Sequence, residues 1–151
     1  MKASVDALVS APPDVVFAVV RDVESWPQFI SAIRQVEMLT PGAPSIGSRF
    51  RETRTMFGRT ATEEMTVAEL DPPHRLVLTA FNHGTAYRAE HVLEAEGAGA
   101  RLTLMFEGRP VSLAARLFAP LGWMFMGTVK RQLASDLADL KREAERRQAT
   151  G

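Results

Sequence analysis

The chain has 151 residues, 46% of them hydrophobic and 24% charged, with 10 Gly, 9 Pro and no Cys. That is ordinary for a globular protein and enough to bury roughly 68 to 70% of the unfolded surface around one core. Lys and Arg number 18 against 18 Asp and Glu, so no long-range field favours nucleic acid or an anionic membrane. Without cysteine there is no disulfide, thiol nucleophile or Cys-ligated zinc, and His74, His83 and His91 are too scattered for a metal motif. Neither metal nor cofactor is expected.

No repeat, low-complexity tract or linker divides the chain. The start, Met1 to Asp6, lacks the apolar run of a signal peptide, and no apolar segment reaches about 18 residues. One domain over residues 1–148, with a tail at 149–151, in the cytoplasm is the expectation. Residues 2–9 read as a strand. Ser10-Ala11-Pro12-Pro13-Asp14 then starts a helix, since proline suits the first turn and an acid there favours the dipole; Val15, Val16, Val19 and Val20 form its apolar face. A second short helix begins at Asp22 or Ser25 and carries Trp26, Phe29, Ile30 and Ile33. From Arg34 to Arg109, strands alternate with turn signals such as Phe57-Gly58, Asp71-Pro72-Pro73 and His83-Gly84, the pattern of an antiparallel meander. Beyond Pro110, Leu113, Leu117, Leu121, Met124, Leu133, Leu137 and Leu140 recur at helical spacing. This predicts one long C-terminal helix, kinked at Pro120 and Gly122, ending in a solvent-facing charged tail, Lys141 to Arg147.

The predicted order gives an α+β fold in which a curved antiparallel sheet of about seven strands wraps a long C-terminal helix, with two short helices after the first strand. Several stretches resemble one known superfamily: Ala11-Pro12-Pro13-Asp14-Val15-Val16-Phe17, Asp22 to Phe29, Gly47-Ser48-Arg49-Phe50, Leu70 to Leu76, and Asp136 to Lys141. The chain resembles the START-like or SRPBCC helix-grip proteins (Bet v 1-like fold), in the branch of polyketide cyclases/dehydrases and lipid transport. The resemblance covers nearly the whole chain and implies a ligand cavity between sheet and helix. Such folds serve lipid carriers, hormone receptors, quinone binders and aromatase/cyclases, so it implies no single reaction.

Hairpin arithmetic maps that cavity, because inward side chains alternate along each strand and face inward partners across each turn. A turn at Met56 to Arg59 pairs Glu52 with Glu63, and later turns pair Glu63 with Ala80, Leu78 with Ala89 and His91 with Phe106. Candidate lining residues are therefore Phe50, Glu52, Arg54, Glu63, Met65, Leu78, Asn82, Tyr87, His91 and Phe106. Leu117, Leu121 and Met124 join them from the C-terminal helix. Glu52, Arg54, Glu63, Asn82 and Tyr87 gather toward one end. An arginine between carboxylates could hold a ligand carbonyl or phenol, and an acid with a raised pKa could exchange protons with it; the alternatives are an ion-pair cluster at the cavity mouth, or a bulge that turns some of them outward. His91 on the apolar face is either a ligand-facing neutral imidazole or a core residue.

The run from Leu117 to Met126 is apolar on more than one helix face. It either closes the cavity, with Trp123 or Phe125 against the first helices, or forms a gate at Pro120 with adaptable Met124 and Met126; it is too short to span a membrane, so no stable insertion is expected. Met56 and Phe57 at a hairpin tip overhang the entrance or contact a second copy in a homodimer. Arg49, Arg51 and Arg59 belong to a solvated face rather than a nucleic-acid site. Three functions follow: binding of a hydrophobic small molecule such as a lipid, isoprenoid or polyketide; an aromatase/cyclase or dehydrase acting by positioning and proton transfer; or an accessory protein acting through the tip and the apolar helix.

Overall fold

The computed structural model describes residues 1–56 and 58–151. Seven antiparallel strands form one sheet in the order β1-β7-β6-β5-β4-β3-β2: β1 (Lys2–Val9), β2 (Ile33–Met38), β3 (Arg49–Met56), β4 (Arg59–Asp71), β5 (Arg75–Asn82), β6 (Thr85–Glu96) and β7 (Gly99–Pro110). Between β1 and β2 lie α1 (Pro13–Arg21), a short 3-10 turn (Val23–Ser25) and α2 (Trp26–Phe29). After β7 come α3 (Leu113–Gly122), a second 3-10 turn (Trp123–Phe125) and α4 (Met126–Thr150). This is the expected helix-grip architecture.

Pro12 at the N-cap and Pro13 in the first turn start α1, and Asp14 follows them. Val16, Phe17, Val19 and Val20 are buried and Val15 is half-buried against them, so the predicted face is present and Phe17 extends it. The second helix is shorter than expected: its last residue is Phe29, and Ile33 already begins β2. α4 packs on β1 and α1. The core joins α1 to Trp26, Ile30, Phe50, Val67, Leu76, Leu78, Leu102, Leu137 and Leu140.

The C-terminal helix departs from expectation in two ways. It is interrupted at Trp123–Phe125, so α3 and α4 are separate elements; Pro120 removes an amide donor one turn before the break. The charged tail is also not simply solvent-facing. Glu143 and Ala144 are buried, because Glu143 accepts hydrogen bonds from both Arg146 (2.8 and 2.7 Å) and Arg147 (2.9 Å). Those bonds outweigh the burial that opposes them and hold its carboxyl down at about 2. Asp139 is anchored similarly, accepting from the Ser31 amide at 2.9 Å and hydroxyl at 3.1 Å and pairing with Arg142.

Strand parity follows the prediction, but two registers differ. Glu52 faces Glu63 and Leu78 faces Ala89 as expected. The turn places Asp71 opposite Arg75, three residues off the predicted register, and the irregularity between Val67 and Glu69 takes one of these back, so that Val67 faces Leu78. Across β6 and β7, His91 faces Leu104 and Ala89 faces Phe106. Both shifts are two residues, which moves neighbours without reversing faces. Arg49 and Arg51 pair with Glu64 (2.8 Å) and Glu37 (3.6 Å) on the outer surface. No helix among the described residues is long and apolar enough to cross a membrane.

Candidate functional site

A cavity of about 400 Å³ lies between the sheet and α4. Its walls come from Trp26 of α2 and Ile30 just after it, from residues of β3 to β7, and from Thr128, Val129, Gln132, Leu133, Asp136 and Leu140 of α4. Of the predicted lining residues, Glu52, Arg54, Glu63, Met65, Leu78, Tyr87, His91 and Phe106 border it. Phe50 does not: it is fully buried behind the wall, edge-on to Trp26 with centroids 6.2 Å apart. Asn82 sits one step back, where its amide donates to Glu63 Oε1 at 2.7 Å. That bond is available because of the two-residue shift between β4 and β5.

Leu117, Leu121 and Met124 do not line the cavity; they are exposed. Trp123 is likewise exposed rather than packed on the first helices. The register of α3 explains this, since its inward positions are the small residues Ala115, Ala119 and Gly122, which are only partly exposed. Gly122 and Phe125 are the residues of this stretch that reach the cavity. Met56 also borders it, whereas Phe57 lies outside the described residues.

The polar end is built around Arg54. Its Nε and Nη2 donate to the two oxygens of Glu52 at 3.3 and 3.2 Å, and its Nη1 donates to Asp136 Oδ2 at 3.0 Å. Glu52 is 3% exposed and Asp136 9%. A fork of donors met by two carboxylates is the geometry that lets charges persist away from water. Burial works against the charge on Arg54, but Glu52 and Asp136 outweigh it and hold the guanidinium above its ordinary range. One cation faces two acids, so the balance is different for Asp136. Burial pushes its carboxyl up, Arg54 and the Gln132 amide (3.3 Å) offset only part of that, and Glu52 adds to the rise. Asp136 is therefore readier to hold a proton than an ordinary aspartate. Its part was missed from sequence, although an acid four residues before Leu140 on the buried stripe of α4 is a visible signal.

His91 completes the site from β6. Burial drives its pKa down to about 4, the Leu76 backbone opposing and the Arg54 charge reinforcing the fall. The imidazole is thus neutral across the physiological range. It lies 5.9 Å from the Trp26 ring, and neither His91 Nδ1 nor Trp26 Nε1 has a hydrogen-bond partner. Four residues earlier on β6, Tyr87 stacks on Phe106 with centroids 5.7 Å apart. Gly108, paired directly with Tyr87, leaves room for the ring: a Cβ there would stand 3.2 Å from Tyr87 Cε1. Most other walls are apolar, with Met65, Leu78, Ala80, Ala89, Leu104 and Leu133 among them. Among the described residues no group of acids and histidines is disposed to hold a metal ion.

The same architecture recurs in solved proteins. Ara h 8.0201 superposes with a TM-score of 0.74 at 17% identity, covering 95% of this chain and 97% of that one. TTHA0849 from Thermus thermophilus gives 0.71 at 18% identity, with 95% and 97% covered. The Zhui aromatase/cyclase from Streptomyces sp. R1128 gives 0.75 at 22% identity, with 97% and 94% covered. At these identities the likeness is one of fold. No curated protein matches the chain in sequence. The family model described as polyketide cyclase / dehydrase and lipid transport, in contrast, matches residues 1–145. With the sheet, the gripping helix and the cavity between them all in place, the chain belongs to that polyketide cyclase/dehydrase and lipid transport family.

Proposed function

We propose that the protein binds a hydrophobic small molecule carrying one carbonyl or hydroxyl group, with its apolar body along the sheet and its oxygen toward Arg54. The observation that carries this reading is the asymmetry of the cavity: a mostly apolar wall with one buried cluster, Arg54 between Glu52 and Asp136, set into it. Burial of the apolar body contributes about 25 cal/mol per Å² before the costs of association. The polar end fixes orientation, since the three bonds to Glu52 and Asp136 use three of the five Arg54 N–H groups and leave two to meet a ligand oxygen. Lipids, isoprenoids and polyketides share this chemistry.

A second reading is supported by two groups with opposite tendencies in one cavity. Neutral His91, whose Nδ1 has no partner in the fold, can hydrogen-bond an oxygen of the substrate, and Asp136, with its raised pKa, can exchange a proton with the carbonyl oxygen. Together they fit ring closure or dehydration of a poly-β-ketone. Product formation, rather than saturation alone, separates this reading from simple binding.

The test is titration with Prodan, a fluorescent naphthalene bearing one ketone. Saturable one-site binding with blue-shifted emission is expected, and Ala89→Phe, which puts a ring between Leu78 and Phe106, should weaken it at least about tenfold through lost space. Equal binding by the parent and Ala89→Phe proteins would place the probe outside the cavity and refute the reading.

A further inference from the structure

The segment from Leu113 to Met124 is built inside out. Its small residues, Ala115, Ala119 and Gly122, face the domain, while Leu113, Leu117, Phe118, Leu121, Trp123 and Met124 are 52% to 85% exposed. Neither α3 nor the turn after it has a buried residue. A helix that packs on its own domain places its large apolar residues inward, and six outward ones form a contiguous patch of the kind that marks an interaction surface.

The charge around this patch says what covers it. The chain is neutral overall, yet residues 108–135 contain Arg109, Arg116, Lys130 and Arg131 and no Asp or Glu. All four cations are exposed. Nine other arginines form ion pairs, whereas among the described residues none of these four pairs with a carboxylate. An apolar face with tryptophan, flanked by uncompensated cations, complements an anionic lipid surface, where apolar side chains enter the acyl boundary and cations meet headgroups. A second copy of the chain would instead bring the same cations together.

The N-terminal end of the segment is anchored to the β5–β6 turn. Ser112 caps α3 by accepting from the Ala115 amide at 3.0 Å, and the Val111 and Ser112 amides donate to the Gly84 carbonyl at 2.8 and 3.1 Å. The apolar face thus begins at a fixed point on the sheet.

We infer that the outward face of α3 and the following turn is a peripheral docking surface for anionic membranes. Docking lays the helix in the interface without spanning it. Because Gly122, Thr128 and Val129 also border the cavity, docking brings this side of the cavity close to the lipid. The docking claim does not depend on what the cavity binds.

Vesicle flotation, followed in parallel by tryptophan fluorescence, tests this on the full chain without added ligand. Phosphatidylglycerol-containing vesicles should carry the protein, salt should release it, and emission should shift blue as exposed Trp123 enters the interface, Trp26 being buried already. Leu117→Gln with Phe118→Gln, and separately Arg116→Glu with Lys130→Glu, should each lower partitioning at least about tenfold. All four residues are exposed, and matching circular dichroism and melting curves check that the variants fold. No binding to anionic vesicles, equal binding to pure phosphatidylcholine, or undiminished binding by either variant would overturn the inference. A dimer that dissociates in Leu117→Gln with Phe118→Gln, without vesicle binding, would assign the face to a second copy and overturn it equally.

Discussion

His91 shows how one residue's surroundings set its chemistry. Burial holds its pKa at about 4, against an ordinary value near 6.5. Between those values the unfolded chain binds a proton that the folded chain refuses. The stability supplied by neutral His91 is therefore complete above about pH 6.5 and is lost as pH falls through 4. The lost contribution approaches about 3 kcal/mol. Denaturant unfolding at a series of pH values should show the advantage of the parent over His91→Gln shrinking by that order through this window; parallel profiles would mean that burial does not govern the imidazole. At the same scale, Glu52 and Arg54 could be placed on the cavity face from sequence because alternation in a strand is rigid. Asp136 could not, since helical spacing names a buried stripe without saying which strand it meets. Its partner Arg54 lies 82 residues away.

Among the elements, the hairpins were the most legible and α3 the least. His83-Gly84 makes a two-residue turn with both φ positive, at 49° and 73°, as the dipeptide suggests. Gly84 does a second job that sequence does not display. A Cβ there would stand 2.1 Å from Ser112 Oγ, so the glycine lets the cap of α3 seat on the β5–β6 turn. Gly84→Ala should destabilise the fold by about 2 kcal/mol through the strained φ and the displaced cap. Limited proteolysis should then cut between Leu113 and Phe125 before it cuts the sheet; an unchanged pattern would mean that the cap does not anchor α3. The expectation that Leu117, Leu121 and Met124 face inward rested on the ordinary amphipathic rule. It failed because α3 presents its small side to the domain. The β4 irregularity was illegible for a different reason: the extra residue puts Val67 and Leu70, three apart, on the same core face, a break in alternation that a run of apolar and small residues does not announce.

Across the whole molecule, the fold separates two kinds of surface that composition averages away. One is interior, an apolar cavity with Arg54 and its two acids at one end; the other is exterior, an apolar helix face amid cations. A net charge of zero and an unremarkable hydrophobic fraction conceal both. Antiparallel strand order, the paired short helices and the final helix were all readable because each leaves a periodic or turn signature. The cavity itself leaves none, since its volume depends on how far α4 stands from the sheet. The two surfaces also compete for any hydrophobic probe, which identifies the most direct measurement: a crystal structure of the protein with bound Prodan. The account predicts the naphthalene between Leu78, Ala89 and Phe106, with its ketone oxygen within hydrogen-bonding distance of the Arg54 guanidinium. Prodan seated instead on Leu117 and Trp123, with the cavity holding none, would contradict it.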